Sequence, residues 1–186
     1  MIEKIAEIEE YLKNNLSEGR ANHCIRTMQM CEKMAKIYGA DVEKAKLAGL
    51  AHDIAKEFTD EENLKYVEEN GIEIDDIERR NLKLIHGKLG ADICKKKFGF
   101  DEEMQDAIMY HTIGKENMSL LTKIVFISDL IEEGRSFSDV EYIRNLAYKN
   151  LNKAILYALD KAIKKCVEKE KVIHINTILA RNYLLK

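Results

Sequence analysis

Proline is absent from the 186 residues of the chain, and glycine occurs only nine times. Because a proline inside a helix removes a backbone hydrogen bond and kinks the chain, its absence leaves helices free to run without interruption. Cysteine is also scarce, with four residues and no CxxC pair. We therefore interpret the cysteines as small buried apolar residues in a reducing compartment, without a disulfide framework.

Long apolar runs are missing as well, so no segment is predicted to span a bilayer. The N-terminal segment MIEKIAEIEEYLKN is charged throughout and lacks the apolar core of a signal peptide. The formal net charge is −3, and the 30 lysines and arginines are scattered, whereas nucleic-acid binders usually carry a basic patch. We expect a cytoplasmic, globular protein of one domain, residues 1–186, that binds neither membrane nor nucleic acid.

Apolar residues recur at helical spacing from end to end, which predicts an all-α helical bundle. Residues that cap helices support this prediction, because they stand just before the apolar stretches. The predicted N-terminal caps are Ser17, Asp41, Thr59 (with Glu62 as a capping box), Asp101 and Ser119. Glycines at positions 39, 71 and 99 are predicted to end helices.

The C-terminal part carries weaker signals. Ser138 with Glu141 predicts another capping box, residues 152–169 predict a long amphipathic helix, and Asn176 is predicted to cap a last short helix. Residues 171–175 are the best candidate for a strand, although a short one. An apolar stripe within the long helix favours a core position, with a homodimer face as the alternative; it comprises Leu151, Ile155, Leu159 and Ile163.

Four of the five histidines and two aspartates form a ladder along the chain: His23, His52, Asp53, His86, His111 and Asp129. The pair His52-Asp53 lies in the apolar run LAGLAHDIAK, predicted to be within the third helix, and Asp129 lies in LLTKIVFISDLIEE. A carboxylate buried on such a helix is costly unless it is paired or binds a metal. Converging helices can build such a site from facing side chains, so the ladder predicts a metal centre.

Six ligands exceed what one zinc ion needs, so we expect two divalent metals with Asp53 as the bridge. Imidazole and carboxylate without thiolate favour Fe, Mn, Co or Zn. Paired metals are a common device for hydrolysis at phosphorus. Lys56 lies four residues after His52 and three after Asp53, on the same helix face, where it could hold a phosphate oxygen. Taken singly, each histidine and Lys56 would be an ordinary core or surface residue.

Short strings around these residues narrow the family: RANH at 20–23, HDIAK at 52–56, HGKLGA at 86–91, YHT at 110–112, SDLIEEGR at 128–135 and IHINTILARNYLL at 173–185. In this order they resemble the HD-domain superfamily of metal-dependent phosphohydrolases. Within it, the set is similar to the bacterial YqeK family, the symmetrical diadenosine tetraphosphate hydrolases. The resemblance covers nearly the whole chain, and the C-terminal string is its most particular part.

The resemblance implies an all-helical HD domain with a two-iron centre that splits diadenosine tetraphosphate into two ADP. It implies a metal-site core at about 17–135, with C-terminal helices at 139–186 completing the nucleotide pocket. The six ladder residues would bind metal. Asp53, as the bridge, and Lys56, from its spacing to His52 and Asp53, are the predicted catalytic residues. The implied contacts to the dinucleoside polyphosphate, or an ADP-like nucleotide, are Arg20, His111, Arg135, Val172, Ile173, His174, Ile175, Asn176, Thr177 and Arg181.

The chain departs from that family at two positions where proline is usual, which are Glu133 and Ile175 here. These changes affect the expected loop shape and nucleotide fit, not the metal site. The alternatives are another HD phosphohydrolase, such as a 5′-nucleotidase or pyrophosphatase, and a non-catalytic nucleotide-sensing module. The complete ligand set and Lys56 favour an enzyme, and a plain helical scaffold would leave the buried carboxylates unexplained.

Overall fold

The computed structural model describes residues 2–186, which form eleven α-helices, one 3₁₀ helix and no strand. The elements are α1 (Ile2–Asn15), α2 (Glu18–Tyr38), α3 (Val42–Ala51), α4 (Asp60–Asn70), α5 (Asp76–Arg80), the 3₁₀ helix (Leu82–Leu84), α6 (His86–Phe98), α7 (Glu102–Met109), α8 (Leu120–Ile131), α9 (Val140–Lys149), α10 (Leu151–Glu168) and α11 (Ile175–Tyr183). The predicted all-α fold is confirmed. Between residues 2 and 186, no helix has the length and apolar content needed to cross a membrane.

Helix α8 is the centre of the bundle. It contacts α2, α3, α7, α9 and α10, and most of its apolar side chains are completely buried. Helix α2 packs against α3, and α6 packs against α7, while α2, α3 and α7 contact α8 directly. A polar residue on the inward side of α8 is therefore placed against side chains from several other helices, and Asp129 is one such residue.

The predicted N-terminal caps of five helices are confirmed. The side chains of Ser17, Asp41, Thr59, Asp101 and Ser119 each accept a hydrogen bond from a backbone N–H in the first turn. Each of these bonds satisfies a donor that the helix itself leaves free. The glycines predicted to end helices also do so, at φ values between 63° and 71°.

Three predictions for the C-terminal region were wrong. Helix α9 begins at Val140, and no side chain caps it, because the Asp139 carboxylate instead accepts a hydrogen bond from Tyr157. Asn176 does not cap α11: it lies inside the first turn, and its N–H donates to Nδ1 of His174, which is the cap. Residues 171–174 are irregular, since the described chain offers no strand with which they could pair.

The apolar stripe of α10 belongs mainly to the core. Leu151, Ile155 and Leu159 are at most 5% exposed, whereas Ile163 near the end of the helix is partly exposed. Helix α10 contacts α8, α9 and α11. The core interpretation is thus confirmed for three of the four residues, and the homodimer stays a prediction.

Helices α6 and α7 approach closely at Gly87. A Cβ atom added at Gly87 would lie 2.6 Å from the carbonyl oxygen of Met109, and this backbone atom cannot easily move away. The neighbouring residue of Gly87 is His86, and His111 follows α7 by two residues. The missing side chain at position 87 therefore lets these two histidines come together.

The substitution Gly87→Ala is expected to lower the free energy of unfolding by about 1–3 kcal/mol, because the added methyl group overpacks the contact between α6 and α7. Chemical denaturation measures this change. Gly19→Ala is the matched control, since no atom lies within 4 Å of a Cβ at that helical position. The control should be neutral or slightly stabilising. An unchanged stability of Gly87→Ala would show that the close approach is not required.

Candidate metal centre

Six side chains from five parts of the bundle converge on one site, and they are the six of the predicted ladder. His23 lies on α2, His86 is the first residue of α6, and Asp129 lies on α8. The prediction that His52 and Asp53 lie within a helix was wrong, because α3 ends at Ala51 and the two residues occupy the turn that follows. This turn directs both side chains into the site.

Three of the four histidines are oriented by the backbone. Nδ1 of His52 lies 2.8 Å from the carbonyl oxygen of Gly49. In the same way, Nδ1 of His86 lies 2.7 Å from the Lys83 carbonyl, and Nδ1 of His111 lies 2.7 Å from the Ile108 carbonyl. Because a carbonyl oxygen can only accept a hydrogen bond, each Nδ1 carries a proton, and in the neutral ring Nε2 keeps a free lone pair.

The fourth histidine, His23, is oriented by a carboxylate instead. Its Nδ1 lies 3.1 Å from Oε1 of Glu132, which is 1% exposed. The sequence prediction missed Glu132, although it stands inside the quoted string SDLIEEGR, three residues after Asp129. A second carboxylate at helical spacing from a ligand was the available signal. Through this contact, His23 also presents a free Nε2 to the centre of the site.

The Nε2 atoms face one another in pairs. Nε2 of His23 lies 3.2 Å from Nε2 of His52, and Nε2 of His86 lies 3.0 Å from Nε2 of His111. Two unprotonated nitrogens at this distance repel each other, because neither has a hydrogen to donate. A cation that accepts both lone pairs removes the repulsion, and neutral imidazole is a common ligand of divalent transition metals. The donor set therefore fits a divalent metal.

Asp53 lies between two groups of ligands. Its Oδ2 is 3.5 Å from Nε2 of His52 and 3.8 Å from Nε2 of His23. Its Oδ1 is 3.2 Å from Nε2 of His86 and 3.4 Å from Nε2 of His111. The buried Oδ1 accepts no hydrogen bond within the described chain. An acceptor left this way is costly in a protein interior and fits a role as metal ligand.

We call His23, His52 and Asp129 the first half-site, and His86 and His111 the second half-site. In the first, Oδ1 of Asp129 lies 2.9 Å from Nε2 of His23 and 3.6 Å from Nε2 of His52. Each oxygen of Asp53 points toward one half-site. This arrangement has the form of a bridging carboxylate between two cation positions.

The protonation states suit metal binding. Burial alone would raise the pKa of Asp53, yet His52, His111 and His86 around it hold this pKa well below its usual range. The pKa of Asp129 is also well below its usual range, because the contacts with His23 and His52 outweigh burial. Burial, with the nearby His111 and Lys56, lowers the pKa of His86 to about 4. Both carboxylates are thus ionised, and the His86 imidazole is neutral. Burial alone would lower the pKa of His52, but Asp53 and Asp129 raise it well above its usual value, so a cation bound in the first half-site would replace a proton there.

Three cationic side chains surround the opening of the site. Nη1 of Arg20 lies 2.7 Å from Oδ2 of Asp53, and Nη2 of Arg135 lies 2.5 Å from Oδ1 of Asp129. Nζ of Lys56 lies 3.1 Å from Nε2 of His86. The three side chains are about one-third exposed, at 29%, 35% and 30%. Each of these side chains contacts a candidate metal ligand and is also accessible from solvent. Cationic groups in such a position can bind an anionic solute.

The start of α11 lies beside the second half-site. The hydroxyl of Thr177 donates to the carbonyl oxygen of Ile113, two residues after His111, at 2.9 Å. Of the other predicted contacts in this segment, Val172 and Ile175 are exposed, and Ile173 and Asn176 are partly exposed. Arg181 is further along α11, where its Nε lies 2.5 Å from Asp160 on α10. Its described contacts do not reach the metal centre.

The resemblance implies that His174 contacts the nucleotide, and in the structure His174 lies in a cluster of its own. Nε2 of His174 lies 3.2 Å from Oδ2 of Asp75 and 3.9 Å from Oε1 of Glu78. This cluster does not fit a metal ion, although its composition resembles a metal site. Nδ1 of His174 already accepts the N–H of Asn176, so it is unprotonated, and a neutral ring must then carry its proton on Nε2. That proton points to the two carboxylates.

The segment that holds Asp75 and Glu78 was absent from the predicted helices. Helix α5 has only five residues, too few to show an apolar period, but it carries a complete capping box formed by these two residues. Together with the 3₁₀ helix, it leads the chain into α6 at His86. Thr112 was also not predicted as a site residue, and its hydroxyl oxygen lies 3.0 Å from Nε2 of His111.

Comparison with known proteins places these features in a family. The model of the HD domain matches residues 20–134, a range that includes all six converging ligands. The chain is 37% identical to the symmetrical bis(5′-nucleosyl)-tetraphosphatase of Halalkalibacterium halodurans, over 95% of this chain and 94% of the relative. It is 32% identical to the protein of the same name from Bacillus subtilis, over 94% of both chains.

A solved structure agrees with this assignment. A protein of Clostridium acetobutylicum, described as an HD superfamily hydrolase involved in NAD metabolism, superposes with a TM-score of 0.94 at 44% identity, covering 97% of this chain and 96% of the other. The fold, the matched range and the full-length similarity lead to one conclusion. The chain belongs to the HD-domain family, and within it to the same family as the proteins named symmetrical bis(5′-nucleosyl)-tetraphosphatase.

Proposed function

We propose that this protein hydrolyses diadenosine tetraphosphate symmetrically and releases two molecules of ADP. The observation that carries the proposal is Asp53, which points one oxygen to each of two half-sites below three accessible cations. The names of the relatives from Halalkalibacterium halodurans and Bacillus subtilis support the choice of substrate. Hydrolysis of a polyphosphate also agrees with the three cationic side chains, since several fixed cations bind such an anion well.

The cofactors we propose are two divalent transition metals, with iron preferred and manganese, cobalt or zinc as alternatives. The first half-site and Oδ2 of Asp53 would hold one of them, and the second half-site and Oδ1 of Asp53 the other. When bound, such a metal pair lowers the pKa of a water molecule and neutralises charge on the reacting phosphate. Asp53 would fix the relative position of both metals, so we assign it a catalytic role.

The residues of the chain have distinct roles in this reaction. In the overall step, water adds to one of the two central phosphorus atoms, and the central bridging oxygen departs with the other ADP. Lys56 lies beside Asp53 and His86, so its ammonium group can hold the phosphate that is attacked. Arg20 and Arg135 flank the carboxylates of Asp53 and Asp129, and they can hold phosphates on either side of the break.

The nucleoside parts of the substrate would extend away from these cations. The segment from Val172 to Thr177 ends beside the turn after His111, which makes it the proposed contact for one adenosine. Exposed Val172 and Ile175 supply apolar surface there, where the related family usually has proline at position 175. For Arg181, binding a nucleotide would require its guanidinium group to leave Asp160.

The purified protein is expected to contain close to two equivalents of transition metal per chain. The reason is that five side chains form two half-sites, and the carboxylate of Asp53 faces both of them. Elemental analysis by mass spectrometry measures the content before and after reconstitution with Fe²⁺ or Mn²⁺. Protein that contains no metal and takes up none on reconstitution would contradict the proposed centre.

Hydrolysis of diadenosine tetraphosphate is expected to give only ADP, because the metals would lie over the middle of the polyphosphate. Chromatography of the products after incubation with Fe²⁺, Mn²⁺ or Co²⁺ decides the point. Asp53→Ala is the negative control: it should be inactive, and circular dichroism should show an intact helical fold. A mixture of ATP and AMP would exclude symmetrical cleavage and leave a broader phosphohydrolase activity. Near-normal turnover by Asp53→Ala would exclude the bridging role.

Lys56→Ala and Arg135→Ala are expected to affect different kinetic constants. Loss of the Lys56 charge should lower kcat by about 10²–10³-fold, because a fixed cation stabilises charge that develops in the transition state. Loss of Arg135 should mainly raise KM, since this side chain would hold a more distant phosphate in both ground and transition states.

Steady-state kinetics on both variants tests this separation, with the metal content measured in each because Arg135 also touches Asp129. Lys65→Ala is the matched control, as this lysine is largely exposed on α4 and pairs only with Glu69. It should behave as the unmodified protein. If Lys56→Ala and Arg135→Ala also left kcat and KM unchanged, both residues would be ordinary surface cations.

A further inference from the structure

Glu132 is a buried carboxylate in direct contact with a ligand of the metal centre. It follows α8 directly and is 1% exposed. Its Oε1 lies 3.1 Å from Nδ1 of His23, and its Oε2 accepts hydrogen bonds from Nε of Arg26 at 2.6 Å and from the N–H of Gly134 at 2.5 Å. A charged group this deep in a protein is retained only where it is paired and hydrogen-bonded.

The surroundings keep Glu132 ionised. The guanidinium group of Arg26 and the N–H of Gly134 both donate to Oε2, and a carboxylate held by a fixed cation in this way is favoured in its charged form. Gly134 also leaves space for this pair. A Cβ atom at that position would lie 2.5 Å from Nε of Arg26, within the guanidinium group that holds Glu132. The turn after α8 is thus shaped around an ionised carboxylate.

The contact sets His23 apart from the other three histidines of the site. His52, His86 and His111 each use Nδ1 to donate to a neutral backbone carbonyl. A carboxylate accepts the same hydrogen bond more strongly, because it carries a full negative charge. The Nδ1 proton is drawn further toward the acceptor, and the opposite nitrogen, Nε2, gains electron density.

We propose that Glu132 is a positioning residue, which fixes the ring of His23 and makes its Nε2 a stronger metal donor than those of the other three histidines. Glu132 is not placed on the substrate or the reacting atoms, and the role proposed for it acts through His23. Its Oε1 also lies 3.8 Å from Nε of Arg135. The proposal rests on the divalent metal centre of the proposed function. Its consequence is that the first half-site binds its cation more tightly than the same ligands would with a neutral partner for His23.

The test is a titration of metal-free protein with Co²⁺ alone, followed by the absorption bands of the bound ion. Glu132→Gln keeps the shape of the side chain but removes the charge, and its single amide oxygen can accept either from His23 or from Arg26 and Gly134. We expect the dissociation constant of one Co²⁺ equivalent to rise about 10–100-fold. The absorption spectrum of that equivalent should shift, because the donor strength of His23 has changed.

Glu78→Gln is the matched control. Glu78 is also a carboxylate with 1% exposure, and it is held by Lys88 at 2.7 Å and by the N–H of Asp75, but it touches none of the six ligands. This variant should lose stability in the same range and keep the cobalt affinity and spectrum of the unmodified protein. Equal weakening in both variants would mean that Glu132 is only structural, and no weakening in Glu132→Gln would overturn the proposal.

A second variant covers the case in which Glu132→Gln does not fold. Glu132→Asp keeps the charge and the pairing with Arg26, but its shorter side chain withdraws from His23, so its cobalt affinity should also fall. Retention of normal affinity in that variant would contradict the proposal. Failure of the unmodified protein to bind any Co²⁺ would instead remove the metal centre itself, so the two failures can be told apart.

Discussion

The structure depends on one arrangement of four imidazole rings, whose Nε2 atoms face one another across the Asp53 carboxylate. Hydrogen bonds from Nδ1 fix this arrangement, because three rings donate to backbone carbonyls and the fourth donates to Glu132. The nitrogen pairs at 3.0 and 3.2 Å are stable only with positive charge close to them. The site is therefore suited to binding cations. The cationic side chains at its opening are in turn suited to binding an anionic substrate.

The fold provides the short distances that this site needs. Gly87 brings α6 against the backbone of α7, which joins the two histidines of the second half-site. Helix α8 carries Asp129 into contact with α2 and thereby completes the first half-site. The turn after α3 supplies His52 and Asp53 together, and their adjacency in sequence lets one segment serve both half-sites. The contacts that pack these helices together are thus also the contacts that position the side chains of the two half-sites.

The predictions of helix caps succeeded where the cap depends only on residues close together in the sequence. The caps at Ser17, Asp41 and Ser119 were predictable because a side chain bonds to a backbone only two or three residues away. Ser138 offered the same local pattern, but Asp139 occupies the cap position and is held by Tyr157 on α10, a contact distant in sequence. For α11, His174 took the capping role, and histidine is not among the usual capping residues.

The sequence by itself determined the helical class and predicted the six side chains that converge, since carboxylates and imidazoles inside apolar segments need a shared partner whatever the fold. Tertiary structure alone decided which ligands form each half-site, because that depends on how distant helices cross. It also decided that Glu132 pairs with His23 and that His174 joins Asp75 and Glu78 instead of a metal. Hydrogen bonds over more than ninety residues leave no periodic trace in a sequence, as only three-dimensional packing brings the partners together.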